Sequence, residues 1–297
     1  MKLDPKVSVI ITCYNQQAYI AQAIESVMNQ TFSDWECIII DDGSTDNSES
    51  VYAKYTQKDK RIKYFYQENQ GVSVARNKGF QLCKGEFIHF LDGDDFIAKN
   101  KIEKQIEFLQ ANAEYDICYS NYSHYFQDKN IVQPADHIPV ANLPLEDFLF
   151  RWDRNIGTTI HSALFRRNIW EENELPFPID YTSRYEDWVF WVITALKNTK
   201  IAHLEFNGAY YRIHENNLTS EMNTNIQYFF QAMFYIHPKI PATYKKRFIE
   251  ENVNYLLDKY AKQRIFIDVY HTWTWKIAKV FGWILKPFNF ILKKKHS

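Results

Sequence analysis

The sequence predicts an α/β protein: an open, mostly parallel sheet flanked by helices, continued by a helical C-terminal extension. Three observations predict it. Short β-branched runs alternate with helical repeats over about the first 115 residues. Those runs are apolar on both faces, as strands of a sheet covered on both sides must be. Three of them stop abruptly at polar clusters, "TCYN", "DDGSTD" and "DGDD".

Each element follows in order. "VSVIIT" (Val7 to Thr12) reads as the first buried strand. Ile20, Ala23, Ile24, Val27 and Met28 share one face of a helix. "WECIIIDDGSTD" repeats the strand and ends in a turn, so strand, helix and strand form a βαβ unit with a right-handed crossover. A helix over roughly Ser48 to Thr56, a strand at Ile62 to Tyr66, a helix at Val72 to Cys83 and a strand at Glu86 to Leu91 continue the pattern. A helix over Asn100 to Ala111 follows. From Asn121 the alternation breaks down, and the polar stretch from Phe126 to Pro144 reads as loop. Leu145 to Trp152, Asp187 to Leu196 and Asn225 to Ile236 read as helices, and "IAHLEF" and "AYYRIH" as strands. A helical tail begins near Pro241.

Composition narrows the class. The 297 residues suffice for a sizeable core, and 46% hydrophobic and 17% aromatic content is globular. With 35 basic against 36 acidic residues there is no field that would attract nucleic acid. Cys13, Cys37, Cys83 and Cys118 form no CxxC pair and read as reduced core residues of a cytoplasmic protein. The N-terminus has no signal-peptide pattern, and no run is long and apolar enough to span a membrane.

In open α/β sheets ligands bind outside the carboxyl ends of the strands, so the three polar clusters are expected to line one crevice. Asp92, Asp94 and Asp95 fall within four positions in "FIHFLDGDDFI". At ~5 Å and an effective dielectric of ~20, each pair of charges repels by about 3 kcal/mol. Such a cluster suits a hard divalent cation such as Mg²⁺, which fills its shell with phosphate oxygens and water. Alone, the same residues also read as an acidic turn capping the next helix. In "DDGSTDNS", Gly43 permits a tight turn and Ser44, Asp46 or Ser48 suits a helix cap. Two acids before that turn exceed what capping needs. One could accept an N–H from a nucleobase, with Tyr14 placed to stack on it.

The ordered set "VSVIITCYNQQAYIAQAIESVMNQTFSDWECIIIDDGSTD", "GVSVARNKGF" and "GEFIHFLDGDDF" resembles the nucleotide-sugar domain of family 2 glycosyltransferases, of GT-A fold. "RYEDWVFW" (Arg184 to Trp191) resembles the family's acidic motif before its acceptor-side helix. The resemblance runs from about Val7 to Ile213, is weak between Asn121 and Pro178, and is absent beyond about Ser220. It implies a glycosyltransferase domain over 1–220, with a nucleotide-binding half over about 1–115 and an acceptor-side half over about 116–220. The helical extension then covers 221–297.

By motif position, the resemblance implies that Thr12 and Tyr14 hold the base and Asp42 pairs with uracil. Arg76 lies near the phosphates. Asp92 and Asp94 form the DxD whose last carboxylate holds Mg²⁺ or Mn²⁺ against the diphosphate. Asp187 is the general base of a single inverting displacement. Asp95, Glu186 and His214 are further candidates: a neighbour of the DxD, an acceptor-hydroxyl ligand and a residue closing over the diphosphate. The implied donor is a nucleotide-sugar, a UDP-sugar, and the implied acceptor a glycan or lipid-linked sugar for a surface polysaccharide.

No QxxRW motif occurs, so one sugar per cycle is expected rather than processive synthesis. Over 268–295 a face of Trp273, Ile277, Val280, Phe281, Ile284, Phe288 and Ile291 opposes Lys276, Lys279 and Lys286. That pattern suits a helix lying in the inner membrane interface, and equally one docked on the protein's own core. Two other functions compete. A nucleotidyltransferase would carry a glycine- and basic-rich loop after the first strand, where "TCYNQQAY" has neither. A non-catalytic sugar-nucleotide or carbohydrate-binding protein would have no need of both the DxD and the Glu186–Asp187 pair.

Overall fold

The computed structural model describes residues 4–136, 140–152, 154, 156, 158–181, 184–215 and 222–260. In chain order the elements are β1 (Val7–Cys13), α1 (Ile20–Met28), β2 (Trp35–Asp42), α2 (Ser48–Lys58), β3 (Ile62–Gln67), α3 (Val72–Leu82), β4 (Phe87–Asp92), β5 (Phe96–Ile97), α4 (Lys101–Ala111), β6 (Ile117–Phe126), β7 (Ile131–Pro134), α5 (Leu145–Phe150), β8 (Ala163–Arg166), α6 (Glu186–Leu196), β9 (Ile201–Ile213), α7 (Met222–Ile236) and α8 (Ala242–Tyr260). They build one mixed sheet in the order β3-β2-β1-β4-β8-β6-β9-β5, with β7 paired to β6. β3, β2, β1 and β4 are mutually parallel, as the βαβ pattern predicts.

Alternation along the strands divides the core in two. Val7, Val9, Ile11 and Cys13 point to one face with Ile39 and Leu91, covered by α1, α2 and α4 through Ile24, Tyr52 and Ile106. Ile10, Ile38, Ile40, Ile88 and Phe90 point to the other, beneath α3, α5, α6, α7 and α8. This second layer is largely aromatic. Phe177 stacks on Phe190 at 4.6 Å, Phe148 on Trp191 at 5.4 Å and Trp188 on Phe229 at 4.8 Å. The Trp188 indole N–H donates to the Phe148 carbonyl at 2.7 Å, which satisfies its polar edge inside the core. Through Phe229, Met233, Phe248 and Val253, α7 and α8 belong to the same packed layer as α6. The tail over 268–295 lies outside the described residues.

The second half departs from the sequence reading in three ways. β6 and β8 form where the sequence pattern marks no strand, because β6 is held by ladders on both sides rather than by an apolar run. Its Tyr, Ser, Asn and His side chains hide the strand pattern. β7 lies in the stretch expected to be loop and forms a hairpin with β6 after Asn130, whose φ is 51°. Its four residues are all exposed, so no buried periodicity marks it. "IAHLEF" and "AYYRIH" form one strand, β9, carried past β6 by register shifts around Asn121.

α4 begins with a buried lysine. Lys101 is fully buried, its Nζ donating to Gln105 Oε1 at 2.5 Å and lying 3.4 Å from His89 Nδ1. Burial drags its pKa from 10.5 down to about 7. Between those values the unfolded chain carries a proton that the folded chain has released, so stability rises with pH across that window and is lowest below it. The urea midpoint of the protein is therefore expected to climb from about pH 7 to about pH 10, and Lys101→Met to flatten that climb. Equal slopes in the two proteins would refute this reading.

Candidate active site

The crevice is built where β1, β2 and β4 end. Their loops are tied side to side. The Asn15 side-chain carbonyl accepts from the Thr45 N–H at 2.7 Å and the Asp46 N–H at 3.3 Å, and its own N–H donates to Ser44 Oγ at 3.0 Å. Gly43 takes a φ of 82°, and a Cβ there would sit 2.7 Å from the Asn69 nitrogen, so the β2 turn requires glycine. Gly93 is closely approached without needing a positive φ. Its N–H donates to the Thr12 carbonyl at 2.9 Å, and a Cβ would lie 2.4 Å from Gln16 Oε1.

The acids of the DxD turn point three ways. Asp92, opposite Thr12 in the sheet register, accepts from Thr12 Oγ1 at 3.1 Å and from Arg76 Nη2 at 2.7 and 3.0 Å. Asp94 turns to His214, whose Nε2 lies 3.2 Å from its carboxylate. The His214 ring stacks on Tyr19 at 4.4 Å. Asp95 points back into the protein, where Oδ1 accepts from the Arg212 N–H at 2.8 Å and Oδ2 lies 3.1 Å from His161 Nδ1. Burial, then the charges of Asp94 and Asp92, push the Asp95 carboxyl well up; burial pushes His161 down to about 3. Both shifts favour the uncharged forms.

Arg76 is the counter-charge of the site. It is 3% exposed and reaches Asp92 with one nitrogen and Glu186 Oε1 with the other at 3.2 Å. Glu186 and Asp187 open α6 behind Tyr185, whose φ of 65° turns the chain sharply into the helix. Asp187 accepts the Trp188 N–H at 2.8 Å. Burial, and next the Glu186 charge, push its carboxyl up to about 7. Asp92 is held below the ordinary range: its burial is outweighed by the adjacent Arg76 charge and hydrogen bonds.

Thr12, Arg76, Asp92, Glu186 and Asp187 are thus one connected set, and Asp94 with His214 a second beside it. Asp42 stands apart. Its carboxylate accepts from Gln67 Nε2 at 2.7 Å, the Gln70 N–H at 2.9 Å and the Gly71 N–H at 2.8 Å, holding the loop between β3 and α3. A carboxylate has about four acceptor positions, so one remains. Tyr14 follows β1 with 48% of its surface exposed. His161 and Arg212 were not singled out by sequence reasoning. Only Arg212 left a signal, a lone cation inside an apolar strand.

Two donor sets suit a divalent cation to different degrees. Ligand atoms of Asp92, Asp95 and His161 lie within 4.8 Å of one another. However, Asp95 and His161 side chains are each 2% exposed and bonded to each other, and Asp92 is spent on Arg76. Nothing there leaves space for the waters a Mg²⁺ shell retains. Asp94, its side chain 20% exposed, and His214 offer carboxylate oxygen and imidazole nitrogen facing each other. That oxygen-and-nitrogen set fits a divalent cation such as Mn²⁺. A separate cavity of about 700 Å³ opens at the amino end of β4, lined by Phe80, Glu86, Arg166 and Trp170, away from the acids.

A curled, mostly parallel sheet with an acidic crevice at its carboxyl edge defines a GT-A fold glycosyltransferase. The family model described as "Glycosyl transferase family 2" matches residues 8–173, and the chain belongs to that family. It is 28% identical over 271 residues to the putative glycosyltransferase EpsH of Bacillus subtilis, covering 90% of this chain and 75% of that protein. It is 39% identical over 146 residues to the putative teichuronic acid biosynthesis glycosyltransferase TuaG of the same organism, covering 49% and 57%. Three glycosyltransferases of Rickettsia species are longer: the match spans 27% to 31% of their lengths. Among solved structures, S. aureus TarS 1-349 with UDP-GlcNAc superposes with a TM-score of 0.67 at 22% identity, over 85% of this chain and 73% of that one. The Pyrobaculum calidifontis mannosyltransferase PcManGT, with GDP-Man and Mn²⁺, gives 0.60 at 15% identity over 99% and 80%.

Removing Arg76 strands two acids, Asp92 and Glu186. Arg76→Met is expected to lower unfolding stability by about 3–5 kcal/mol near neutral pH, measured by urea titration. Because the Asp92 carboxyl is depressed, the pair's contribution is full above about pH 4 and fades as pH falls through the lowered value. The gap between the two proteins should therefore narrow in acid.

Proposed function

We propose that this protein is an inverting, metal-dependent glycosyltransferase. It moves one sugar from a UDP-sugar to a hydroxyl of a glycan or lipid-linked acceptor in surface polysaccharide synthesis. The observation that carries the reading is the pairing of two acidic centres across Arg76: the DxD turn with His214 on one side, Asp187 on the other. The similarity to the putative teichuronic acid biosynthesis glycosyltransferase TuaG, and to TarS in complex with UDP-GlcNAc, supports the pathway and the donor class.

In this reading Asp94 and His214 would hold Mg²⁺ or Mn²⁺. When bound, the ion supplies Lewis-acid stabilisation of the departing diphosphate. Tyr14 stacks on the base, Thr12 lines its pocket, and Asp42 uses its remaining acceptor position for a uracil N–H. Asp187 takes the proton of the acceptor hydroxyl as that oxygen bonds to the anomeric carbon and the carbon–phosphate-oxygen bond breaks. A carboxyl raised to about 7 is a base matched to neutral pH. Glu186, tied to Arg76, stays beside it and keeps its affinity for a proton high. Arg76 keeps Asp92 ionised.

The test is nucleoside diphosphate release from UDP-, GDP- and dTDP-sugars with Mn²⁺, Mg²⁺ or EDTA. One donor should turn over slowly without acceptor, and Asp94→Asn should fall to the EDTA level. With acceptor, Asp187→Asn should lose ~10²–10⁴-fold while retaining part of the donor hydrolysis. Since the base works deprotonated, kcat/KM should fall with decreasing pH below about 7 and level off above it. No release and no nucleotide binding under any condition would overturn the enzyme reading.

The basic, aromatic pattern over 268–295 supports a place at the inner face of the cytoplasmic membrane, although no helix among the described residues is long and apolar enough to cross one. Truncation after about Arg264 should release the protein from the membrane fraction. Identical fractionation of the two forms would rule this out.

A further inference from the structure

We infer that Arg212 is a positioning residue for the metal-binding pair: it fixes the backbone of the Asp94–Asp95 turn against the strand that carries His214. The inference rests on the reading of Asp94 and His214 as cation ligands.

Arg212 stands near the end of β9, two residues before His214. It is 1% exposed. Its main-chain N–H donates to Asp95 Oδ1 at 2.8 Å, and its Nε donates to the Asp94 carbonyl at 2.5 Å. One residue therefore grips the two consecutive acids, one by its carbonyl and the other by its carboxylate. The other end of the guanidinium is anchored elsewhere. Nη2 donates to Gln22 Oε1 of α1 at 2.7 Å, and Nη1 donates to Gln127 Oε1 just past β6. The Tyr19, Phe96 and Tyr125 rings surround it, with centroids 5.1, 5.3 and 5.0 Å from Cζ. Tyr19 is also the ring on which His214 stacks.

The geometry has a direct consequence. Asp94 and His214 come from positions 120 residues apart and would meet only if the turn after β4 and the end of β9 keep a fixed separation. Among the described residues, the two-residue strand β5 pairs them by backbone ladder, followed by the Ala98 N–H donating to the Gly208 carbonyl at 2.9 Å. The guanidinium adds a constraint at the site itself: its planar donors tie the Asp94 carbonyl to Gln22 and to Gln127, whose own N–H donates to the Ile213 carbonyl of β9 at 3.1 Å. Lysine could not reproduce this, having a single ammonium for several acceptors. A group that orients ligands in this way is typically worth about 10–100-fold in metal affinity.

The experiment is Mn²⁺ titration followed by electron paramagnetic resonance of the free ion, with and without UDP, on wild type, Arg212→Met, Arg212→Lys, Gln22→Ala and Asp94→Ala. Thermal melting and UDP affinity in EDTA are recorded alongside. Arg212→Met is expected to weaken Mn²⁺ by about 10–100-fold while UDP affinity in EDTA stays as in wild type. Arg212→Lys should rescue little. Gln22→Ala, at an exposed position of α1, should give a smaller loss in the same direction. Should Arg212→Met not fold, Arg212→Lys and Gln22→Ala decide, and wild-type Mn²⁺ affinity in both overturns the inference. A folded Arg212→Met with unchanged Mn²⁺ affinity overturns it outright. Failure of the underlying reading looks different: wild type itself then binds no Mn²⁺, or binds it as well after Asp94→Ala.

Discussion

The site depends on one buried cation. Four acids, Asp92, Asp94, Glu186 and Asp187, converge from two parts of the chain, and Arg76 alone of the described cations bonds to acids of both parts. Its placement on α3 is what allows β4 and α6 to approach. Without it, Asp92 and Glu186 would face each other as bare charges at the edge of an aromatic layer. The Phe177 ring beneath the guanidinium, 5.1 Å from Cζ, makes the layer itself part of the arrangement. Neighbouring carboxyls differ for separate reasons. Asp92, in direct contact with Arg76, is held below the ordinary range, whereas burial and then the Glu186 charge drive Asp187 up.

This division of character matters for a group-transfer reaction. The proposed transfer calls for lasting negative charge on the donor side and, on the acceptor side, a group that takes up a proton near neutrality. Contact with Arg76 supplies the first at Asp92, and burial together with the Glu186 charge supplies the second at Asp187. The Asp95–His161 pair shows a third outcome from the same residue type. Fully enclosed, it braces β9 through the Arg212 N–H.

The first half of the fold was legible because its strands are apolar on both faces and end at Asp, Gly and Ser. Those endings also carry the acids of the site, so the crevice followed from the strand order. β6 and β7 were not legible. Tyr, Ser and His along β6 derive their burial from neighbours on both sides, and β7 has no buried face at all. The acids could be read as a cluster, but their partners could not. Arg212 meets Asp94 across 118 positions and Arg76 meets Glu186 across 110, and no local pattern encodes such pairings. His161 gave no signal for the same reason: its meaning comes from Asp95, brought beside it by the fold.

The turn after β4 has a mechanical meaning as well as a chemical one. β4 lies in the middle of the sheet, yet β5, three residues further on, is paired at the far edge beyond β9. The acidic turn therefore crosses the gap over the ends of the intervening strands like a strut across a splayed fan. A link this short limits how far apart β4 and β5 can stand, so the turn that carries the acids also sets how tightly the sheet curls between its middle and its far edge.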